Sequence, residues 1–155
     1  VTTDLTSEMD LSIKAFLDRV IYWAMNEPDL LALALVGSHA RGKATPNSDV
    51  DLILLFNHPE AYLKDRGWIS EFGEPTQVVI EEWGKVTALR VFYADGLEVE
   101  YGLSDLDWGS NPSDEGDARV IRDGLVVLFE RGKHLSDKLK RFFASSESDL
   151  NIGTG

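Results

Sequence analysis

The sequence predicts an α/β (α+β) chain, a mixed β-sheet with flanking helices, and three observations carry that expectation. Leu30 to Val36 and Val50 to Phe56 are strand-length apolar runs, the second apolar on both faces after Asp51. Strands of this kind lie inside a sheet covered by helices. Residues 86–93 and 97–103 are strand-like runs joined by Ala94-Asp95-Gly96, which reads as a hairpin turn. Stretches with helical spacing, each bounded by Pro, Gly or Ser, lie between and around these runs.

Taken in order, residues 7–26 form an amphipathic helix. Leu11, Ala15, Val20 and Trp23 recur near helical spacing, Ser7 sits at the cap position and Pro28 closes the segment. Pro59 opens a second helix that runs to Phe72, where Gly73 and Pro75 stop it. Thr76 to Glu81 is a strand, followed by a turn or bulge at Trp83-Gly84. After the hairpin, residues 104–113 are rich in Ser, Asp, Gly, Asn and Pro and read as a loop. A short helix over 114–123 with Ser113 as its cap, a strand over 125–129 and a helix over 133–143 complete the chain. Residues 1–143 read as a single domain and 144–155 as a disordered tail.

Composition narrows the function classes. The 155 residues are 43% hydrophobic, enough for one core, and contain no cysteine, which excludes disulfides and thiolate metal sites. No apolar run reaches the roughly 18–20 residues that span a bilayer. The first residues are polar and acidic, without the basic start and apolar core of a secretory signal. The expectation is a cytoplasmic protein without a membrane partner. A net charge of −12 argues against nucleic acid as partner, because phosphate backbones are met by basic footprints. Residues 86–110 hold five acids and one base, which suits a cationic or neutral substrate.

Chemistry concentrates in residues 37–55, Gly-Ser-His-Ala-Arg-Gly-Lys-Ala-Thr-Pro-Asn-Ser-Asp-Val-Asp-Leu-Ile-Leu-Leu. Gly37 permits close approach of backbone to a phosphate. Ser38 is expected to cap a short helix whose free N–H groups face phosphate oxygens, with Arg41 on its first turn. On a strand, Asp49 and Asp51 share one face about 6.6 Å apart at Cα while Val50 packs inward. Paired carboxylates of this kind suit Mg²⁺, which keeps hard oxygen ligands and substrate phosphates. Lys43, in the intervening loop, either touches a phosphate or stands in solvent. Ser48 either joins the nucleotide-binding set or makes a local backbone bond. Neither the dinucleotide-binding nor the P-loop glycine fingerprint is present.

The segment resembles the Gly-Ser-x10-Asp-x-Asp signature of the polymerase-beta-type nucleotidyltransferase superfamily, in the Gly-Ser-x-Ala-Arg-Gly form of its small bacterial members. The resemblance implies a minimal nucleotidyltransferase fold and a third carboxylate on a neighbouring strand, flanked by apolar residues. Val99-Glu100-Tyr101 fits that pattern best, and Leu97-Glu98-Val99 fits it too, so Glu98 stands as the alternative third carboxylate or an acceptor contact. The resemblance further implies a nucleoside triphosphate substrate, ATP being the expectation. Mg²⁺, or alternatively Mn²⁺, would be held by Asp49, Asp51 and Glu100. The nucleoside monophosphate would pass to a hydroxyl of a small-molecule or protein acceptor, with release of pyrophosphate. A partner toxin or a homo-oligomer could complete the site. The rival from another class is a non-catalytic, antitoxin-like nucleotide-binding or protein-interaction module on the same fold.

The remaining candidates have plainer alternatives. Arg90 is the only base between 86 and 110 and faces either triphosphate or the glutamate pair. Arg119 and Arg122 read as a surface face, and the basic stretch Arg131 to Arg141 as a solvated helix end. Trp68, Trp83 and Trp108 either pack or stack a base, and Trp108 is the favoured stacking candidate, because it follows the Glu100 strand. His39, His58 and His134 show no metal-ligand spacing.

Overall fold

The computed structural model describes residues 11–45, 48–110 and 115–154. Its elements in order are α1 (Leu11–Met25), β1 (Leu30–Val36), α2 (Gly37–Ala40), β2 (Val50–Phe56), α3 (Pro59–Lys64), a 3-10 helix (Gly67–Phe72), β3 (Pro75–Trp83), β4 (Val86–Tyr93), β5 (Glu98–Ser104), α4 (Glu115–Asp123), β6 (Leu125–Glu130) and α5 (His134–Thr154). The strands form one six-stranded sheet in the order β3-β4-β5-β2-β1-β6. Only β2 and β5 run parallel; every other neighbouring pair is antiparallel. This is the mixed sheet that the sequence predicts, with β2 in its interior and β4–β5 as the hairpin.

Alternation sends the two faces of the sheet into two cores. Val50, Leu52, Leu54 and Phe56 of β2 pack under α1 and the 3-10 helix, with Phe16, Val20 and Phe72. Ile53 and Leu55 point the other way, toward Ala118 and Ile121 of α4 and Leu135 and Phe142 of α5. Asp51 shares the face of Ile53 and Leu55, so the carboxylates belong to the side that α4 and α5 cover only in part.

Four local expectations change. The helix expected over residues 59–72 breaks at Asp65, whose backbone is extended. The Asp65 side chain accepts from Gly67 N–H, and the Trp68 indole donates to the carbonyl of Tyr62. This break lets Trp68 stack on Trp23 and meet Tyr101 edge-on in the core. Arg131 is not a solvated helix end. Its guanidinium donates to the carbonyls of Ala24, Met25, Glu27 and Leu30, satisfying the end of α1 and the turn into β1. Trp108 is only 1% exposed, packed in the second core, and so cannot offer a ring face for stacking. Helix α5 continues to Thr154, through the stretch read as a tail. Ser7 and Ser113, the expected caps, lie outside the described residues.

Candidate active site

Strand register assembles the site. Val36, Asp51, Glu100, Arg90 and Val79 are successive cross-strand partners on β1, β2, β5, β4 and β3, a single row across the sheet. Cross-strand partners present their side chains to the same face. Asp51 and Glu100 therefore stand side by side on the parallel pair, and Asp49 joins them from the residue just before β2. Carboxylate oxygens of Asp49, Asp51 and Glu100 lie within 4.8 Å of one another. Three half-buried acids this close supply only hard oxygen ligands, a set that fits Mg²⁺ or Mn²⁺.

The electrostatics agree with a cation-binding role. Burial, reinforced by the neighbouring charges of Asp49 and Glu100, pushes the Asp51 carboxyl up to about 8. Like charges this close cannot all ionise unless a cation joins them. Part of that cation is already in the chain. The Arg90 guanidinium lies 2.9 Å from Glu81, 2.7 Å from Glu98, 3.2 Å from Glu100 and 3.6 Å from Asp49. These partners hold its proton more tightly than in free arginine, the Glu81 hydrogen bond most of all. Arg90 thus faces the glutamates. Glu81, unmarked in the sequence, belongs to the cluster because β3 places it two residues from Val79 on the same face.

Gly37 begins α2 with φ of +73°. A Cβ there would overlap the Asp51 carboxylate at Oδ2. The glycine therefore serves two needs, a left-handed turn at the end of β1 and room for the acid on β2. Ser38 does not cap the turn. The cap position is Val36, without a side-chain hydrogen bond, and Ser38 lies inside the four-residue helix. The physical reason is that Gly37, free to take positive φ, already enters the helix one residue earlier. Arg41 ends this turn, with its side chain running against Gly124 at the end of α4.

A cavity of about 810 Å³ opens from these residues. Gly37, Arg41, Asp51 and Glu100 line one end, and Arg119 of α4 and Lys85 of the β3–β4 turn add two further exposed cations to its wall. Glu98 stays outside this lining and outside the close carboxylate set; its carboxylate is held by Arg90. Lys43 is exposed and outside the lining, and Ser48 accepts from Thr45 N–H at 2.8 Å in a local turn. His39 is buried, and its Nε2 has no hydrogen-bond partner among the described residues.

A family model described as a nucleotidyltransferase domain matches residues 24–92. That stretch contains the Gly37-Ser38 turn and both aspartates. Among solved structures it is similar to an aminoglycoside 6-adenyltransferase from Bacillus subtilis, at 15% identity and a TM-score of 0.47, over 58% of this chain and 34% of that one. It is also similar to a cytoplasmic RNA terminal U-transferase, at 20% identity and a TM-score of 0.44, over 59% of this chain and 29% of that one. Cid1 in complex with the UTP analogue UMPNPP aligns at 17% identity and a TM-score of 0.45, over 72% of this chain and 33% of Cid1. The chain thus spans about a third of the length of these structures. No curated protein matches the chain. Among the described residues, no helix is long and apolar enough to cross a membrane.

Proposed function

We propose that the protein is a metal-dependent nucleotidyltransferase that moves a nucleoside monophosphate, AMP from ATP, to a hydroxyl of an acceptor and releases pyrophosphate. The observation that carries this reading is the convergence of Asp49, Asp51 and Glu100 within 4.8 Å beside a glycine turn that ends at the exposed Arg41. In this reading the divalent cation would neutralise charge on the triphosphate and on the hydroxyl that attacks it.

The chain's own residues supply position and charge. Gly37 and Ser38 offer the β- and γ-phosphates backbone N–H groups, and Arg41 offers its guanidinium. Asp49 and Asp51 would hold the divalent cation together with Glu100, and Glu100 is also placed to receive or orient the acceptor hydroxyl. Bond formation from that oxygen to phosphorus accompanies cleavage of the α–β bridging bond, and the hydroxyl proton leaves toward a carboxylate. Most of the rate gain in such a step comes from positioning and charge neutralisation.

A cationic small molecule as acceptor fits the acidic 86–110 stretch. The test is transfer from ATP labelled at the α-phosphate into candidate acceptors and into a lysate, with pyrophosphate measured in parallel. Label transfer that disappears in Asp49→Asn, while the fold is kept, supports the reading. Nucleotide binding without pyrophosphate release across the whole set would replace it with the non-catalytic module.

A further inference from the structure

The cavity that begins at the carboxylates continues along the sheet to an end that the transfer chemistry leaves without a task. Its floor there is Ala88 and Gly102, partners across β4 and β5, with Ile53 and Val86 beside them. The surface is flat because Gly102 has no side chain, and even a Cβ would crowd Val86 and Ile53 at 2.9 and 3.1 Å. At the rim stands Trp83, which lines the same cavity and is 59% exposed. Trp68 and Trp108 are 9% and 1% exposed, and Trp23 is packed on Trp68, so Trp83 is the indole with an open face among the four.

Trp83 is also held in place. It pairs with Val86 across the β3–β4 turn, where Gly84 takes φ of +61°. Ser104 donates from Oγ to the carbonyl of Lys85 in that turn, tying it to β5. Across the strands from Glu100, the Arg90 guanidinium fills the space over the sheet. The open direction from the carboxylates therefore runs along the strands. Arg90 to Val86 is four residues of β4, about 13 Å at the usual rise per residue, and the indole lies over the far end of that path. One elongated ligand fits such a cavity, anionic at the carboxylate end and flat at the other, where Glu82 and Lys85 flank the indole.

We propose that Trp83, exposed at the rim, is the stacking wall for the nucleobase of the donor nucleoside triphosphate. This rests on the donor reading given above, and the experiment separates the two. Binding of ATP and of inorganic tripolyphosphate, each with Mg²⁺, is measured by calorimetry for the wild type, Trp83→Ala and Trp83→Phe. Indole fluorescence is followed in the same titrations.

Base–aromatic stacking contributes enough that its loss should weaken ATP about 10-fold in Trp83→Ala. Trp83→Phe should retain most of the affinity, and tripolyphosphate should bind all three proteins alike. ATP should quench wild-type fluorescence, and most of that quench should vanish in Trp83→Phe. Equal ATP affinity in wild type and Trp83→Ala would overturn the stacking role while leaving the donor reading intact. So would ATP binding no tighter than tripolyphosphate in the wild type. Failure of both probes to bind the wild type would overturn both.

Discussion

Gly37, at the turn that leaves β1, and Asp51 of β2 share one small volume. The backbone of Gly37 turns at φ of +73° beside the Asp51 carboxylate, in a space that a Cβ would take. Gly37→Ala therefore meets two penalties, an unfavourable backbone region and a collision with a carboxylate in the close triad. The backbone part costs about 1 kcal/mol, and the collision displaces Asp51. Thermal unfolding should show a small loss of stability, whereas the gain in Tm on adding Mg²⁺ or Mn²⁺ should largely disappear. A variant that keeps the full metal-induced gain would show that Asp51 is not set by this glycine.

Crowding of the carboxylates makes stability depend on pH in a definite sense. Asp51 titrates near 8 in the folded protein and near 3.8 when unfolded, so the folded state binds the proton more tightly. Without divalent cation this group's contribution to stability falls as pH rises from about 4 and levels off above about 8. Asp51→Asn should therefore be more stable than the wild type at pH 8–9, and the difference should shrink as pH is lowered toward 4. Bound cation competes with the proton, so the Tm gain from Mg²⁺ should be larger at pH 8 than at pH 6. Melting curves at three pH values, with and without Mg²⁺, test both statements. A metal-induced gain that does not change with pH would contradict them.

The two glutamates of β5 should separate in function. Glu100 stands in register with Asp51, and Glu98 is one row away, held by Arg90. Glu100→Gln should lower transfer by at least about 100-fold, since even residues that merely support metal ligands cost 10–100-fold. Glu98→Gln should keep transfer within about an order of magnitude of the wild type and act mainly on stability. Steady-state rates for the pair decide the matter, and the reverse ranking would make Glu98 the third ligand.

Much of this arrangement was legible from short-range patterns. Two-sided apolar runs marked β1 and β2, and the turn Ala94-Asp95-Gly96 marked the β4–β5 hairpin, so Glu100 could be placed on a strand near Asp51. What stayed hidden depends on long-range register. Glu81 reaches Arg90 only because Val79 pairs with Arg90, and nothing in residues 75–83 reveals that pairing. Trp108 looked available because a loop follows β5. Asp117 on α4 accepts from Gly109 N–H and Lys138 donates to the carbonyl of Trp108, which folds that loop inward. Trp83 stood in the sequence as a turn residue and a stacking candidate ranked behind Trp108, and its exposure beside the cavity distinguishes it from ordinary packing. The helix at 59–72 failed for a different reason: burial of Trp68 overrode local propensity.

Arg131 reaches from the end of β6 to four carbonyls around the α1–β1 turn, and its guanidinium also lies 5.2 Å from the centre of the Phe129 ring. Substitution by alanine strands those acceptors at a helix end. Charged hydrogen bonds of this kind suggest a loss of about 2 kcal/mol, equivalent to a Tm lower by roughly 5 °C for a chain of this size. Metal binding per folded molecule should not change, because the residue lies away from the triad. Calorimetric melting checks the first statement, and metal titration at low temperature checks the second.

Arg90 presents the opposite case, a structural contact inside the site. Its guanidinium holds Glu81, Glu98 and Glu100 while reaching Asp49, so one positive charge serves four acids at 30% exposure. Arg90→Met removes that charge and leaves the acids to repel one another across β3, β4 and β5. Without divalent cation the variant should lose roughly 2 kcal/mol or more, since uncompensated half-buried charges are costly. Added Mg²⁺ or Mn²⁺ should recover a larger share of Tm than in the wild type, because the external cation then does more of the neutralising. Transfer should still fall, because Glu100 loses the contact that orients it. Arg90→Lys keeps the charge but not the planar fork, and should fall between the two in both stability and rate. Equal metal-induced stabilisation in wild type and Arg90→Met would show that Arg90 ties the strands together without tuning the carboxylate cluster.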